Sequence, residues 1–185
     1  MFKLTYGLFV LTVNHKGKDN GCIINTAIQA ASEPNTLSVA VNKANYTHDL
    51  LMSADAFTVS VISQDAGFEL FKRFGFQSGR VADKFADFDE VERTGVGTLA
   101  VTRGTNAWIS ARITGRFDLG SHTLFLGTVE DGKILSDIPS VTYGYYQENI
   151  KPKPQKRVEN GKTIWRCTVC GYEWEGDELP PDFVC

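Results

Sequence analysis

Three cysteines close to the C-terminal end are the residues whose types and spacing most clearly indicate chemistry. Cys167 and Cys170 stand three positions apart, and Cys185 is the last residue of the sequence. Two thiolates at this spacing can bind one metal ion when the chain turns back between them, and Gly171 supplies the positive φ angle that such a turn requires. The spacing therefore predicts a metal site formed by Cys167, Cys170 and Cys185.

Thiolate ligands alone leave two metals open. Iron and zinc both accept tetrahedral sulfur coordination, so a redox-active iron site and a zinc site that only supports folding are the alternatives. Trp174, Pro181 and Phe183 supply apolar cover for either ion. A segment this short buries too little surface to fold by itself, so a metal cross-link is the expected remedy. Cys22 stands alone in an apolar run and is interpreted as a core residue.

Length, charge and hydropathy limit the kind of protein that carries this site. The 185 residues suffice for one ordinary domain and a small appendage. The net charge of -3 gives no reason to expect a nucleic-acid or anionic-membrane partner. No apolar run approaches the length of a membrane span, and the first residues lack the features of a signal peptide. We therefore expect a cytoplasmic protein.

Short runs of alternating apolar and β-branched residues between turn residues predict a mainly β fold. Two short helices are predicted, one from the N-cap Thr47 through Met52 and one from about Asp65 to Phe74, and residues 15–21 are predicted to form a polar loop. Many strands with two short helices indicate a closed or nearly closed antiparallel barrel. Asp131-Gly132 predicts a hairpin turn between the last two strands. The predicted strands cover residues 4–10, 22–30, 36–41, 57–62, 98–101, 108–117, 123–130 and 133–138.

The composition changes at residues 151–156, where lysine and proline alternate. This pattern favours extended polyproline geometry that buries little surface, and it marks a domain boundary. We therefore expect a first domain over residues 1–150, a linker over 151–156 and a metal-binding module over 157–185. In this module Asn160-Gly161 predicts a tight hairpin turn between strands at 156–159 and 162–166.

Three segments of the first domain combine residues that suit a flat, phosphorylated ligand. Residues 20–27 place small and amide side chains on a strand, where they can lie against a ring and hydrogen-bond its edge. Residues 41–48 place Lys43, Thr47 and several donors where a helix begins, which suits a phosphate. Residues 74–85, in a long irregular segment of the functional kind, add aromatic residues, glycines and two cations. Each segment is weak evidence alone, and an ordinary capped turn explains residues 42–48 better when they are taken by themselves.

Together these segments resemble the flavin-reductase-like split-barrel family over residues 1–148. The resemblance implies a split β-barrel that binds FMN non-covalently at the interface of a homodimer. Several members of that family take hydride from NAD(P)H, so the resemblance implies an NAD(P)H-dependent oxidoreductase. The matching pieces are Tyr6-Gly7-Leu8, residues 20–26, 39–48, 74–79 and 122–127, and Lys84-Phe85.

The same resemblance implies roles for particular residues. The isoalloxazine ring would face Asn25, Thr26 and Ala27. The ribityl chain and the phosphate would be bound by Ser32, Asn42, Lys43 and Thr47, with Lys84 reaching over from the long loop. The expected cofactor-binding set is completed by Tyr46 and Phe76. As the candidate catalytic residue, His122 would border the nicotinamide site; the alternative is an ordinary turn residue after Gly120-Ser121.

Residues 167–185 resemble a rubredoxin domain up to its third cysteine, which favours iron over zinc. That family binds iron with four cysteines and expects Pro-x-Cys after Cys185, so the fourth ligand is missing from this sequence. The combination of the two parts resembles the high-molecular-weight rubredoxins of anaerobic bacteria. It implies electron transfer from NAD(P)H through FMN to rubredoxin-type iron and on to an acceptor such as a flavodiiron protein. The alternatives are a flavoredoxin-like carrier without its own NAD(P)H activity and an FMN-binding protein with a structural zinc knuckle.

Overall fold

Strand-forming residues dominate the first 134 positions, and the computed structural model, which describes residues 4–179, places most of them in one antiparallel sheet. The strands of this sheet are β1 (Phe9–His15), β2 (Lys18–Ile24), β3 (Ala27–Ser32), β4 (Asn35–Asn42), β5 (Ala56–Ile62), β8 (Thr105–Asp118) and β9 (His122–Ile134). They are ordered β2-β1-β5-β8-β9-β4-β3. Two short strands, β6 (Val91–Arg93) and β7 (Leu99–Val101), pair separately. The mainly β fold predicted from the sequence is confirmed.

The helices are short and connect or cover the strands. They are α1 (Tyr46–Leu51), α2 (Phe68–Gly75) and α3 (Tyr143–Tyr145), the last continued by a π-helical turn over Tyr146–Ile150. A second, three-stranded sheet is formed by β10 (Gln155–Glu159), β11 (Lys162–Arg166) and β12 (Glu173–Glu175). Over residues 4–179, none of these helices has the length and apolar character that a membrane crossing requires.

The large sheet curls around its own core. Cys22 and Ile24 of β2 and Leu37 and Val39 of β4 come from opposite sides of the strand order, yet they belong to one buried cluster with Phe57. Strands that distant in order can share a core only if the sheet bends towards closure, as in a barrel. Strand β2 and the end of β4 that leads into α1 are thereby brought to one end of the barrel, where the candidate site lies.

The outer surface of the sheet is covered as well, so β1 is buried on both faces. Val10 points away from the barrel core and packs in a second cluster with Phe71 and Phe74 of α2 and with Tyr146. The rings of Phe71 and Tyr146 lie 4.5 Å apart between centroids. Helix α2 is therefore fixed against the sheet, and the long loop that follows it starts from a rigid support.

Local turn signals succeed at one hairpin and fail at another. Asn160 and Gly161 have φ angles of 50° and 77°, which confirms the predicted tight turn between β10 and β11. The predicted hairpin at Asp131-Gly132 is wrong, because β9 runs through both residues. Strand β8 is long enough to pair with them, and a bulge after Ser110 absorbs the change in register.

Other boundaries also differ from the sequence prediction. The first strand begins at Phe9 rather than residue 4, and most of the predicted polar loop is strand β2, because its register with β1 extends to the turn at Lys16-Gly17. Helix α1 is capped by Asn45, whose side chain accepts from the backbone N–H of Thr47, so Thr47 itself is the second helical residue. Helix α2 starts at Phe68, after Gly67.

Candidate functional site

Three parts of the chain meet around a cavity of about 380 Å³ at one end of the barrel. They are β2, the turn between β4 and α1, and the end of α2 with the loop that follows it. Four residues of the predicted cofactor-binding set line this cavity, namely Asn42, Tyr46, Phe76 and Lys84. The rest of the lining consists of Cys22, Ile23, Ala44, Asn45, Phe74, Gly75, Gln77 and Ser78. We call this space the β2–α1 cavity.

Lys84 is a buried cation on the wall of the β2–α1 cavity. Its Nζ donates to the carbonyl oxygens of Gly21 at 2.9 Å and Phe74 at 3.0 Å. Burial lowers the pKa of Lys84, since the charged form loses its hydration. Within residues 4–179 it forms no ion pair with a carboxylate. An ammonium group has three N–H donors, so the third is available to an anionic ligand.

A hydrogen-bonded polar cluster lies behind this wall. Asn20 and Thr47 are both buried, and the Nδ2 of Asn20 donates to the Oγ1 of Thr47 at 2.8 Å. Burial raises the pKa of the Cys22 thiol, and hydrogen bonding to Thr47 and the charge of Lys84 oppose this rise. Thr47 therefore lies behind the cavity wall, inside the protein, and does not line the cavity itself. The sequence interpretation of Cys22 as a buried residue agrees with its position in the barrel core.

The loop after α2 crosses the sheet at Gly79 and is held there by cations. A Cβ atom at Gly79 would clash with the buried Asn20 amide, so this close approach of the loop to β2 favours glycine. The guanidinium of Arg80 stacks on the Tyr46 ring, 4.8 Å from its centroid, and pairs with Asp49. The loop is consequently tied to both β2 and α1, and it closes one side of the cavity.

Lys43 lies outside the cavity lining and is engaged elsewhere. Its Nζ is 2.7 Å from the Oδ1 of Asp118, and its backbone N–H donates to the Ser121 carbonyl. Hydrogen bonding to Lys43 lowers the pKa of the Asp118 carboxyl, with a further contribution from the Gly120 backbone. The structure thus brings Lys43 to the turn between β8 and β9.

His122 begins β9 and stands directly opposite Asn42 of β4. Residues opposite each other in an antiparallel pair share a face of the sheet, so His122 lies beside the cavity edge that Asn42 forms. Its Nδ1 is 2.9 Å from the Ser121 hydroxyl. A second histidine, His48, is buried, and its Nε2 lies 2.8 Å from the Thr123 hydroxyl.

The remaining predicted flavin contacts lie on or next to β3, at one end of the strand order. The Thr26 hydroxyl donates to the Ala40 carbonyl at 2.9 Å, Asn25 is half-buried, and Ser32 is exposed. Ala27 lines a separate, more apolar cavity of about 450 Å³ together with Phe9 and Leu37. The predicted set therefore falls into one group at the β2–α1 cavity and one on β3.

The first two cysteines of the predicted metal site lie on one turn after β11. Cys167 is buried, Cys170 is exposed, and the backbone N–H of Val169 lies 3.4 Å from the Cys167 sulfur. Gly171 has a φ of 77°, and its N–H donates to the Cys167 carbonyl at 3.0 Å. Cys185 lies outside the described residues. Within residues 4–179, no three His, Cys, Asp or Glu residues gather as a metal site.

Sequence reasoning missed Asn20 and Gly79 as individual parts of the site. Asn20 falls in the predicted polar loop and in the segment 20–27, and Gly79 falls in the segment 74–85, but neither residue is singled out there. Their roles depend on contacts with residues 27 and 59 positions away from Asn20, at Thr47 and Gly79. No local sequence signal reports contacts at that range.

Residues 1–153 match the model of the "Flavin reductase like domain" family, and the chain belongs to this family. It is 33% identical to the high molecular weight rubredoxin of Moorella thermoacetica over an alignment of 210 positions, which covers 98% of the chain and 91% of that protein. It is 38% identical to the ferric-chelate reductase (NAD(P)H) of Archaeoglobus fulgidus over 154 positions, or 82% of the chain and 89% of that protein.

Solved structures share the fold at lower identity. The NADH:FAD oxidoreductase of Streptomyces globisporus superimposes with a TM-score of 0.67 and 23% identity, covering 75% of the chain and 81% of that structure. The FMN-binding protein of Thermus thermophilus superimposes with a TM-score of 0.64 and 18% identity, covering 97% and 91%. The comparisons confirm the predicted family for the first part of the chain, and membership of this family supports flavin binding.

Proposed function

We propose that this protein binds FMN in the β2–α1 cavity and passes electrons from NAD(P)H through FMN to a rubredoxin-type iron centre, and on to an acceptor such as a flavodiiron protein. The observation that carries the flavin part is Lys84, a buried cation on a cavity wall whose hydrogen bonds, among the described residues, go to two backbone carbonyls. Burying a cation costs free energy, so a site that retains one is suited to bind an anion.

The lining of the cavity fits both chemical parts of FMN. The phosphate is an anion and the ring is flat and largely apolar, so the cofactor requires a cation with polar donors at one end and aromatic walls elsewhere. Lys84 supplies the cation, Asn42 supplies amide donors, and Tyr46 and Phe76 supply rings. The volume of about 380 Å³ lies in the range of about 300–1,000 Å³ that is usual for ligand pockets.

The other residues of the predicted set keep the roles that the family resemblance implies for them. We assign Asn25, Thr26 and Ala27 to the ring, and Ser32 and Thr47 to the ribityl and phosphate end, following the family resemblance. Lys43 would have to leave Asp118 to reach the phosphate, so we give the principal charge contact to Lys84. His122 would border the nicotinamide, because it shares a sheet face with Asn42.

Bound FMN would accept two electrons from a nicotinamide and release them one at a time, which a one-electron iron centre requires. The protein's own residues bind and orient. Lys84 would balance the phosphate charge, and the loop that carries it closes one side of the cavity. His122, held by the Ser121 hydroxyl, offers a hydrogen-bonding group at the cavity edge.

The cysteines Cys167, Cys170 and Cys185 are proposed to hold the iron. The identity to a high molecular weight rubredoxin over 98% of the chain supports this assignment, since that alignment extends past the matched family model. Zinc is the alternative for the same thiolates. Elemental analysis together with the visible spectrum separates them, because iron thiolates absorb broadly in the visible range and zinc thiolates do not.

A second candidate function is the reduction of a small ferric chelate. It is favoured by the 38% identity to a ferric-chelate reductase (NAD(P)H) over 82% of the chain. In this case the flavin would pass electrons directly to a dissolved acceptor, and the C-terminal segment would have another role. The third candidate function is that of a flavoredoxin-like carrier, which receives electrons from a protein rather than from NAD(P)H.

One anaerobic experiment tests these proposals together. The purified protein is reconstituted with FMN and iron, and its spectrum is followed after the addition of NADH or NADPH. We expect loss of the flavin bands, then loss of the iron–thiolate absorption, and reoxidation by a flavodiiron protein. Reoxidation by a ferric chelate in a variant without the metal would favour the second function. Failure of both nicotinamides to reduce the flavin would contradict NAD(P)H activity. The proposed homodimer is tested by light scattering with and without FMN.

A further inference from the structure

We infer that Asn20 is a positioning residue for the phosphate end of the flavin site, acting through Thr47 and through the loop at Gly79. This inference rests on the proposed binding of FMN. Asn20 belongs to none of the predicted cofactor contacts and does not line the β2–α1 cavity. Its side chain instead joins two of the elements that form the cavity walls.

The contact with Thr47 determines how the threonine hydroxyl is used. The Asn20 amide donates to the Thr47 oxygen at 2.8 Å, and both residues are almost fully buried. A hydroxyl has one hydrogen and two acceptor lone pairs. Because the amide occupies a lone pair, the Thr47 hydrogen has to point elsewhere, and the neighbouring group is Cys22 on the cavity lining. Asn20 therefore fixes Thr47 with its hydroxyl turned to Cys22, at the wall of the cavity where the phosphate end is proposed to lie.

The contact with Gly79 determines where the loop crosses. A Cβ atom at Gly79 would lie 2.8 Å from the Cγ of Asn20 and 3.1 Å from the Tyr46 ring, so the backbone rests directly on these two side chains. The preceding residue, Ser78, lines the cavity. The Asn20 amide consequently determines how closely the loop approaches β2 beside the cavity.

The same short segment of β2 also holds the cation. Gly21, the residue after Asn20, offers the carbonyl oxygen that accepts from Lys84. A change at Asn20 would thus affect the hydroxyl of Thr47, the position of the loop at Gly79 and the Gly21 carbonyl that accepts from Lys84. All three belong to the proposed phosphate end, and none contacts the β3 residues assigned to the ring.

The test compares the dissociation constants of FMN and riboflavin by flavin fluorescence, since only FMN carries the phosphate. In Asn20→Ala we expect FMN binding to weaken about tenfold while riboflavin binding changes little, because the buried Thr47 hydroxyl loses its donor and the segment that binds Lys84 through Gly21 loses its support. The matched control is Asn14→Ala. Its amide donates to Asp19 at 2.9 Å on the neighbouring strand, so the variant loses a similar hydrogen bond away from the cavity. It should leave the ratio of the two constants unchanged.

A double-mutant cycle separates positioning from general loosening of the fold. If Asn20 acts through the Thr47 hydroxyl, then Asn20→Ala should have little further effect on FMN binding in a Thr47→Val background. Should Asn20→Ala fail to fold, Asn20→Asp keeps the shape, removes the donor and accepts the Thr47 hydrogen, and it should weaken FMN at least as much.

The outcomes distinguish failure of the proposed phosphate site from failure of the role given to Asn20. An unmodified protein that binds FMN no better than riboflavin would overturn the proposed phosphate site and this inference together. An unmodified protein that prefers FMN, with an Asn20 variant that keeps the preference or loses both ligands equally, would overturn the inference alone. Fully additive effects of the two substitutions would also overturn it.

Discussion

The barrel and the C-terminal segment are stabilised in different ways. In the barrel, Val10, Val13, Phe57 and Phe125 have no exposed surface, and apolar side chains fill both faces of the central strand β1. Over residues 151–179, only Cys167 is buried. The barrel is therefore a product of apolar burial, which is worth about 1.5–3 kcal/mol for each large side chain. The C-terminal segment lacks that source of stability.

Surface charges replace apolar residues in the C-terminal sheet. Arg157 pairs with Glu173 at 3.0 Å, and Lys162 pairs with Glu175 at 2.7 Å, both between exposed side chains. Exposed pairs of this kind contribute about 0–1 kcal/mol each. Two cysteines lie on the turn that joins β11 to the rest of this sheet. The contrast teaches that one part of the chain can fold without a ligand, whereas the other is expected to need a metal.

The largest expected effect is therefore loss of the metal. Cys167→Ser should abolish metal binding and remove the protection of amide hydrogens over residues 155–175, because metal binding in small thiolate sites contributes about 10–16 kcal/mol to folding. Flavin content should persist. Elemental analysis and amide hydrogen exchange provide the measurements, with the exposed Thr168→Ser as control. Unchanged protection in Cys167→Ser would mean that packing alone holds this sheet.

The next effect lies in the barrel core. Phe57→Ala should lower the free energy of unfolding of the barrel by about 3–5 kcal/mol, since it removes a fully buried ring. Metal content should not change. Calorimetry measures the effect, and Val158→Ala, at a position 67% exposed in the C-terminal sheet, should alter stability by less than about 0.5 kcal/mol. Loss of metal in Phe57→Ala would show that the two parts unfold together.

A smaller effect is expected at the flavin site. Lys84→Met should weaken FMN binding by about 1.5–3 kcal/mol, the usual value of a hydrogen bond to a charged group, with a much smaller change for riboflavin. Titration of both flavins measures the difference. Lys72→Met, which removes an exposed lysine from α2, is the matched control. Equal losses for the two flavins would assign Lys84 to loop structure alone.

The pH dependence follows from the lowered pKa of Lys84. As pH rises, Lys84 loses its charge at a lower pH than an exposed lysine does. FMN affinity should therefore decrease before pH 10.5 is reached, while riboflavin affinity stays level. In flavin-free protein the unfolded chain holds this proton more tightly. The free energy of unfolding should therefore increase with pH between the lowered pKa and 10.5. A flat FMN profile in this window would argue against a charged Lys84 at the phosphate.

The smallest effect is expected at Lys43. Its ammonium is paired with Asp118, so Lys43→Met should reduce FMN affinity less than Lys84→Met does. The same pair of flavin titrations measures this. If the FMN-selective loss instead equals that of Lys84→Met, then Lys43 leaves Asp118 to bind the phosphate. The phosphate would in that case be bound by both lysines.

Features of the fold could be predicted where a local conformation decides the outcome. Asn160-Gly161 turns as expected, because both residues adopt positive φ angles with little strain. Asp131-Gly132 carries a similar local signal, yet the pairing partners that β8 offers override it. The overall class was predictable from strand patterns, whereas the continuation of a strand depended on a distant partner.

The candidate site shows the same division. The family resemblance selected Asn42, Tyr46, Phe76 and Lys84, which line one cavity although they span more than 40 positions. It also selected Lys43, whose ion pair with Asp118 follows from the β8–β9 turn and could not be read from its neighbours. Residues that act through a contact, such as Asn20, carry no pattern of their own.

The two carbonyl contacts of Lys84 also have a kinetic consequence. Its ammonium joins the loop to β2 through Gly21 and to α2 through Phe74, and the same group faces the cavity. A ligand held by its third N–H would share one ammonium group with both contacts, so displacement of the loop would break all three together. We therefore expect the residence time of the flavin to follow the opening rate of the loop, so that slow release persists even where equilibrium affinity is modest.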